Sequence, residues 1–339
     1  MKYFEKNALF SDRTVAIDST GRLMTYGDMY EWADEIGDIV PKRSLVFSFC
    51  HNVVGSVAGY FGFLCNEIVP VLLDRHIEKE LALNLIKVYQ PDFLYVPIEQ
   101  REDFGNFETV LESYEYCLLK TNFDVKHEMY PELGLLLTTS GSTGSPKFVR
   151  QSYTNIQANA ESIVEYLQID ETERPITTLP MNYTYGLSIV NSHLLVGATI
   201  LMTDYTLMEK GFWEFFRENE ATSFGGVPYT YEMLKKLRFF RMDLPSLRYM
   251  TQAGGKLSPE LHKEFAEYAV EYGKKMIVMY GQTEATARMA YLPAERSLEK
   301  YGSMGIAIPG GKFTLVDVEE KAITEPDVTG ELIYEGPNV

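Results

Sequence analysis

The sequence is poor in cysteine, in basic residues and in long apolar runs. Its 339 residues include only three cysteines, Cys50, Cys65 and Cys117. They show no Cys-x-x-Cys spacing, and Cys50 and Cys65 fall within apolar runs. This pattern is typical of buried free thiols in a reducing compartment and excludes a disulfide framework as the source of stability. We therefore expect a cytoplasmic protein.

Basic residues are too few to balance the acidic ones. Lysine and arginine together number 31 against 48 aspartates and glutamates, which gives a net charge of −17. A negative surface repels phosphate backbones and anionic lipid headgroups, so nucleic acid and membrane surfaces are disfavoured as partners. Solubility alone also accounts for this charge.

No apolar run is long enough for a membrane-spanning helix, which needs about 20 apolar residues. The longest apolar-rich window, Val53 to Leu73, is interrupted by three glycines, Asn66, Glu67 and Pro70. The first 13 residues lack the apolar segment of a signal peptide. We predict neither a membrane span nor a secretory leader.

Alternating strand and helix patterns predict an α/β protein. Leu45–Cys50 and Ile68–Leu73 have the pattern of strands, and Val53–Cys65 has that of a buried helix capped by Asn52, so the two strands should be parallel. A second α/β series begins near residues 170–175, within a domain of residues 1–304. Short antiparallel strands at Lys312–Val316 and Gly330–Tyr334 predict the start of a small β subdomain over residues 305–339.

The segment Thr139–Lys147 reads Thr-Ser-Gly-Ser-Thr-Gly-Ser-Pro-Lys and follows an apolar run predicted as a strand. Glycines allow backbone N–H groups to approach an anion, hydroxyls add donors, and the lysine supplies a positive charge for a phosphate. A P-loop would require Ser or Thr after the lysine, whereas Phe148 stands there, which argues against a P-loop kinase. A flexible linker is the alternative, but linkers rarely begin at a buried strand.

A second segment, Tyr280-Gly-Gln-Thr-Glu284, also follows a predicted strand. A nucleotide base can stack on Tyr280, and Glu284 can hold Mg²⁺, which prefers oxygen ligands and few protein carboxylates. The alternative is an ordinary strand-turn-helix connection with a glutamate at the helix start.

Both segments resemble motifs of the acyl-adenylate-forming superfamily, which includes acyl-CoA synthetases, peptide-synthetase adenylation domains and firefly luciferase. Thr139–Lys147 resembles its TSGSTGxPK signature, and Tyr280–Glu284 resembles its YGxTE motif. Gln252–Lys256 resembles its glycine-containing loop beside the adenine and the acyl pocket. The resemblance implies that the first loop wraps the ATP β- and γ-phosphates, and that Thr283 contacts the α-phosphate region.

Two further segments resemble the acyl-pocket motifs of this superfamily. Leu179–Leu187 resembles LPxxHxxGL, with Tyr183 where histidine is usual, and Gly225–Pro228 with Tyr231 resembles a pocket wall. Thr184 stands where peptide-synthetase domains carry an aspartate, which disfavours an α-amino acid substrate. The alternatives are that Tyr183 and Tyr185 are core aromatics, and that the second segment is a strand followed by a helix.

The resemblance thus implies a set of site residues. Those expected in catalysis are Thr143, Lys147 and Glu284, with Glu284 as the metal ligand. Those expected to bind ATP or AMP are Thr139, Ser140, Gly141, Ser142, Thr143, Gly144, Lys147, Gly254, Gly255, Lys256, Tyr280, Gly281, Gln282 and Thr283. Those expected to bind the acyl substrate are Tyr183, Tyr185, Gly226, Val227, Pro228, Tyr231 and Gln252.

The resemblance extends from about residue 25 to Val339, through Gly302–Gly310, where Ala307 replaces a usual proline. It implies a β-barrel-like small subdomain after the two α/β halves. The superfamily's ribose-binding aspartate, hinge and C-terminal lid domain with its catalytic lysine would follow Val339. We therefore expect an N-terminal domain only, impaired in transfer of the acyl group to a thiol.

The expected function is ATP- and Mg²⁺-dependent activation of a small carboxylic acid to an acyl-adenylate, with release of pyrophosphate. The resemblance implies a second step, transfer to the thiol of CoA or of the phosphopantetheine on an acyl carrier protein. The alternative is a nucleotide-binding module without adenylation activity of its own.

Overall fold

The protein is an α/β structure whose helices and strands alternate along most of the chain. A computed structural model describes residues 4–138 and 147–339. The helices in these ranges are α1 (Tyr26–Ile39), α2 (Val54–Cys65), α3 (Lys79–Tyr89), α4 (Tyr153–Leu167), α5 (Thr184–Leu195), α6 (Lys210–Glu218), α7 (Pro228–Lys236) and α8 (Pro259–Glu271). Between residues 1 and 152 the strands are β1 (Thr14–Asp18), β2 (Leu23–Thr25), β3 (Leu45–Cys50), β4 (Val69–Asp74), β5 (Phe93–Pro97), β6 (Glu108–Ser113), β7 (Tyr116–Lys120), β8 (Leu133–Thr138) and β9 (Phe148–Ser152). The later strands are β10 (Pro175–Ile176), β11 (Ile200–Met202), β12 (Ser223–Gly226), β13 (Tyr249–Gln252), β14 (Lys275–Tyr280), β15 (Ala290–Tyr291), β16 (Ile306–Ala307), β17 (Lys312–Val316) and β18 (Glu331–Glu335).

Local capping signals set the start of two helices. Thr25 and Asp28 form the reciprocal hydrogen bonds of a capping box at α1, and the Ser258 side chain caps α8 with Pro259 in its first turn. The predicted cap of α2 is wrong, because Val53 occupies the N-cap position without a side-chain hydrogen bond. Asn52 instead donates from Nδ2 to the carbonyl of Thr203, 3.2 Å away.

The first sheet has seven strands in the order β6-β7-β5-β3-β4-β8-β9. The central strands β5, β3, β4 and β8 are parallel, as the β-α-β pattern around α2 predicts. The strands β6, β7 and β9 run antiparallel to their neighbours. Both faces of β3 are buried, which is typical of a parallel sheet covered by helices.

The second sheet has nine strands in the order β16-β15-β14-β13-β12-β10-β11-β1-β2. Six of them, from β14 to β1, form parallel pairs. The N-terminal hairpin β1–β2 thus joins the sheet built from the later half of the chain. The predicted fold class is confirmed by this mixed architecture, whereas the division near residues 170–175 stays a prediction.

One hydrophobic core joins the two sheets through the helices between them. It combines Val46 and Leu72 of the first sheet with Val15 and Met202 of the second, and it includes most of the buried residues of α2. The strands β17 and β18 form a separate antiparallel hairpin with Phe313 opposite Tyr334. Across the described ranges, the helices are too short or too polar for any of them to cross a bilayer.

Candidate active site

The three adjacent strands β12, β13 and β14 end at the same edge of the second sheet. Gly226 lies opposite Gln252, and Gln252 lies opposite Val278, two residues before the end of β14 at Tyr280. Ligands of open parallel sheets bind at the carboxyl ends of the strands. Three of the segments singled out in the sequence therefore meet at the edge where a ligand is expected.

A cavity of about 400 Å³ opens at this edge. Its lining includes six of the predicted site residues, which are Gln252, Gly254, Gly255, Lys256, Tyr280 and Gly281. Tyr280 is 39% exposed, so its ring is accessible to a planar ligand. The structure thus brings the predicted nucleotide-binding residues of two separate segments around one space.

The glycine loop after β13 is in direct contact with the predicted acyl-pocket residues. Gly254 has a φ of +76°, and a Cβ there would lie 2.4 Å from Tyr183 Oη and 3.0 Å from Val227 Cγ1. A Cβ on Gly255 would lie 3.0 Å from Pro228 Cγ. Only glycine combines the left-handed backbone with this close approach at position 254.

Gln252 is fully buried, and its side chain is hydrogen-bonded to the backbone of the same loop. Its Nε2 donates to the carbonyls of Ala253, 3.1 Å away, and Gly255, 2.9 Å away. Its Oε1 has no hydrogen-bond partner in the described part of the chain. Gln252 therefore positions the glycine loop, and one of its acceptor atoms is unused within the described structure.

Two tyrosines of the predicted acyl pocket are buried and bonded to Thr251. Tyr185 Oη and Thr251 Oγ1 share a hydrogen bond of 2.8 Å, and the Tyr231 hydroxyl donates to the Thr251 carbonyl at 2.7 Å. Burial raises the pKa of both phenols well above the usual value, so both stay neutral. The ring of Tyr231 packs edge-on against Phe265 in the core, which places Tyr231 behind the pocket wall.

The segment after β14 folds into a tight loop. A Cβ on Gly281 would lie 1.6 Å from the Ala287 carbonyl oxygen, so a larger residue cannot occupy that position without moving the loop. Thr283–Ala285 forms a single 3-10 turn, and Ala287 has a φ of +91°. A non-glycine residue with a positive φ is strained, and such backbone strain is concentrated at functional sites.

Glu284 and Gln282 are exposed in this turn, and Thr283 is half-buried. Among the described residues, no three His, Cys, Asp or Glu side chains are grouped as a metal-binding set. A magnesium ion at Glu284 would therefore take its other ligands from nucleotide oxygens and water, as Mg²⁺ commonly does. An exposed carboxylate beside the cavity fits that chemistry.

The predicted phosphate loop falls largely outside the described residues, which exclude Thr139, Ser140, Gly141, Ser142, Thr143 and Gly144. The strands on either side are described, and Thr138 of β8 lies opposite Phe148 of β9. Lys147 is exposed just before β9. Gln151 of β9 donates from Nε2 to the Thr283 carbonyl at 3.0 Å, so the strand that leaves the phosphate loop contacts the turn that carries Glu284.

Sequence reasoning missed two side chains that hold this loop, Asn338 and Asn159. Asn338 donates from Nδ2 to the carbonyls of Ala285, 2.7 Å away, and Arg288, 3.2 Å away. Asn159 donates to the same Arg288 carbonyl at 2.9 Å. Asn338 lies in the terminal Gly336–Val339 segment and could have been singled out there. Asn159 carried no signal in the sequence that could have found it.

Nearly the whole chain matches one known family. A family model described as "AMP-binding enzyme" matches residues 4–339. The chain belongs to the AMP-binding enzyme family. This confirms the resemblance to acyl-adenylate-forming enzymes that the motifs carry.

Relatives within the AMP-binding family include CoA ligases. The chain is 28% identical over 216 residues to the oxalate–CoA ligase of Arabidopsis thaliana, a match covering 62% of this chain and 41% of that protein. It is 29% identical over 234 residues to the indoleacetate–CoA ligase of Aromatoleum aromaticum, covering 67% of this chain and 44% of that protein. The matched segments thus span less than half the length of these two relatives.

A solved AMP-binding enzyme has the same fold. The O-succinylbenzoate coenzyme A synthetase of Bacillus subtilis, in complex with AMP, superimposes with a TM-score of 0.80 at 21% sequence identity. The match covers 100% of this chain and 70% of that chain. At this identity the similarity establishes the fold, and the chemistry rests on the residues of this chain.

Proposed function

We propose that this chain binds MgATP and activates a carboxylic acid as an acyl-adenylate, with release of pyrophosphate. One observation carries the proposal: in a member of the AMP-binding family, the glycine loop, Tyr280 and the two acyl-pocket tyrosines meet at the ends of β12, β13 and β14. The proposal assigns base stacking to Tyr280 and enclosure of the acid to the two tyrosines at this edge of the sheet.

The proposed chemistry uses groups at this edge together with groups of the predicted phosphate loop. A carboxylate oxygen of the acid attacks the α-phosphorus, and the bond to the pyrophosphate oxygen breaks. No general base is needed, because the acid is already ionised at neutral pH. Mg²⁺ held by Glu284 would neutralise charge on the phosphates. The backbone of Gly254 and Gly255, the side chains of Thr283 and Lys147, and the hydroxyls of residues 139–143 would position the nucleotide.

We further propose that a thiol then takes the acyl group and releases AMP, with CoA as the acceptor and a carrier-protein phosphopantetheine as the alternative. CoA ligases among the relatives support this order of steps. The relatives' acids, oxalate and indoleacetate, differ in size and polarity, so membership of the family leaves the acid open. Cytoplasmic location and dependence of the thiol step on a lid domain stay predictions.

Acid-dependent pyrophosphate release from MgATP, measured over a panel of carboxylic acids, tests the proposal. We expect release with at least one acid. A nucleotide-binding module without adenylation activity would bind AMP and release no pyrophosphate with any acid, and that result would refute the proposal.

Two glycine variants localise the activity. Gly254→Ala and Gly273→Ala both place a side chain at a positive φ, of +76° and +63°. Only the first meets another group, the Tyr183 hydroxyl, since nothing lies within 4 Å of a Cβ on Gly273. We expect Gly254→Ala to lower pyrophosphate release at least tenfold and Gly273→Ala to leave it within about twofold. Because both variants carry the same kind of backbone strain, the difference between them reports on the contact with Tyr183. Equal losses in the two variants would contradict the assignment of the loop.

A further inference from the structure

Arg288 is a buried cation behind the candidate acyl site. It is 2% exposed, and its described side-chain partners are all uncharged. Nε donates to Ser188 Oγ at 3.1 Å, and Nη1 donates to Tyr166 Oη at 2.9 Å and to Met279 Sδ at 3.1 Å. The guanidinium carbon lies 5.2 Å from the centre of the Tyr185 ring.

Among the described residues, the guanidinium of Arg288 has no counter-charge. In the described ranges no carboxylate lies within ion-pair distance of its guanidinium, whereas Arg248, for example, pairs with Glu173 at 2.8 Å. The remaining residues, 1–3 and 139–146, contain neither aspartate nor glutamate and cannot supply one. A buried charge without a partner is costly, and proteins pair such charges or neutralise them on binding a ligand.

Tyr185 connects this cation to the cavity edge. Its hydroxyl is bonded to Thr251, and a Cβ on Gly225 would lie 2.8 Å from it. The Tyr183 ring centre is 6.4 Å from that of Tyr185, and the Tyr183 hydroxyl approaches Gly254. From the glycine loop inward the order is therefore Tyr183, Tyr185, Arg288. These contacts link the loop, where the reacting carboxylate of an acid is expected, to the buried guanidinium.

Resting on the proposed function, we propose that the acid activated here is a dicarboxylic acid whose second carboxylate pairs with Arg288. A guanidinium binds a carboxylate through two parallel hydrogen bonds, and desolvation strengthens the pair. No acidic residue lies between Met181 and Val190, so the segment that contributes both tyrosines offers no partner for an α-ammonium group. The preferred substrate is thus a dicarboxylic acid without an amino group.

The test compares dicarboxylic acids of graded length with monocarboxylic acids of matched length, by pyrophosphate release. For the wild-type chain we expect kcat/KM at least tenfold higher for the best dicarboxylic acid than for its matched monocarboxylic acid. Arg288→Met should remove this preference, mainly by raising KM for the dicarboxylic acid, and leave the monocarboxylic acid within about threefold. Arg288→Lys should restore part of it, because a charge remains.

Arg296→Met serves as the matched control, since Arg296 is exposed and pairs with Glu299 on the surface. This variant should keep the wild-type preference for dicarboxylic over monocarboxylic acids. A wild-type chain that activates monocarboxylic acids equally well or better would overturn the inference and leave the proposed function standing. An Arg288→Met variant that loses equal activity with dicarboxylic and monocarboxylic acids would also overturn the inference. Absence of release with every acid would instead refute the proposed function itself. The wild-type comparison decides the matter even where Arg288→Met fails to fold.

Discussion

At the scale of single residues, Tyr280 joins a strand end to an accessible aromatic face. It closes β14, is 39% exposed, and lines the same cavity as the glycine loop. A purine stacked on such a ring gains about 0.5–1.5 kcal/mol if aromatic-pair values apply. That gain is large enough to measure in a binding experiment and small enough to leave folding intact.

Tyr280→Ala should therefore weaken AMP binding by about 2- to 10-fold in calorimetric titration, and Tyr280→Phe should retain most of the affinity. Tyr272→Ala is the control, because Tyr272 is also exposed and lies just before the opposite end of β14. Equal AMP affinity in Tyr280→Ala and the wild type would remove adenine stacking from the site.

Glu284 is the second residue whose role is separable from the fold. It is exposed and pairs with no lysine or arginine in the described ranges. Removing the charge of Glu284 should weaken binding of Mg²⁺ more than binding of the nucleotide, because Mg²⁺ takes one or two carboxylates and phosphate oxygens as ligands. Glu284→Gln should raise the Mg²⁺ concentration required for half-maximal pyrophosphate release several-fold.

Metal-free AMP binding should meanwhile stay close to that of the wild type. Glu271 is an exposed glutamate in the last turn of α8. The control variant Glu271→Gln loses the same charge as Glu284→Gln and should leave the Mg²⁺ requirement unchanged. An unchanged Mg²⁺ titration in Glu284→Gln would show that Glu284 is an ordinary surface glutamate.

At the scale of elements, α8 is tied to the turn that borders the cavity through a buried histidine. The Gly302 N–H donates to His262 Nδ1 at 3.0 Å, and His262 Nε2 bonds Ser297 Oγ at 2.9 Å. Nδ1 must be unprotonated to accept this bond. Burial lowers the pKa of His262 to about 4, below the ordinary value near 6.5, and His262, Gly302 and Ser303 all line the cavity.

Acidification should consequently destabilise this contact. The unfolded chain takes up a proton near pH 6.5 and the folded chain only near pH 4, so stability is complete above pH 6.5 and is lost as pH falls toward 4. We expect His262 to contribute a loss of roughly 2 kcal/mol in the free energy of unfolding between pH 7 and pH 5. His193 has a similarly lowered pKa of about 4 and adds to the slope.

Urea unfolding at both pH values, in the wild type and in His262→Gln, isolates the contribution of His262. The variant should be less stable at pH 7 and should lose less stability on acidification than the wild type. An identical pH dependence in the two proteins would contradict a neutral, acceptor role for His262.

At the scale of the whole molecule, the two sheets share one core rather than forming separate bodies. The helices α1 and α2 pack against each other and contribute to a core that reaches β3 and β4 on one side and β1 and β11 on the other. Tyr60 of α2 donates its hydroxyl to Asn191 Oδ1 of α5 at 3.0 Å. Such continuity predicts that both halves unfold together.

The two tryptophans of the chain report on the two halves separately. Trp32 lies in α1 within the shared core, and Trp213 lies in α6 within the core of the second sheet. The variants Trp32→Phe and Trp213→Phe each keep one tryptophan. In each variant, the urea midpoint from the fluorescence of that tryptophan should match the urea midpoint from circular dichroism. Midpoints that differ between fluorescence and circular dichroism would show that the halves unfold independently.

The sequence by itself determined what depends on neighbouring residues. The parallel strands β3 and β4, the helix α2 between them and the strand β14 before Tyr280–Glu284 were predictable, because periodicity and turn chemistry act over a few residues. The placement of the phosphate loop and the tyrosine motif after predicted strands followed from the same local patterns. The strand β13 before the glycine loop was not predicted, and its pairing with β12 and β14 brings that loop to the same edge as Tyr280.

The tertiary structure alone decided what depends on residues far apart in the chain. It pairs β1 with β11, almost two hundred positions later, and it gives Asn52 a partner in Thr203 instead of a helix to cap. It also buries Arg288 among uncharged groups. No local pattern contains this information, because burial and the absence of a counter-charge are properties of the packed chain and arise only when distant segments exclude water together.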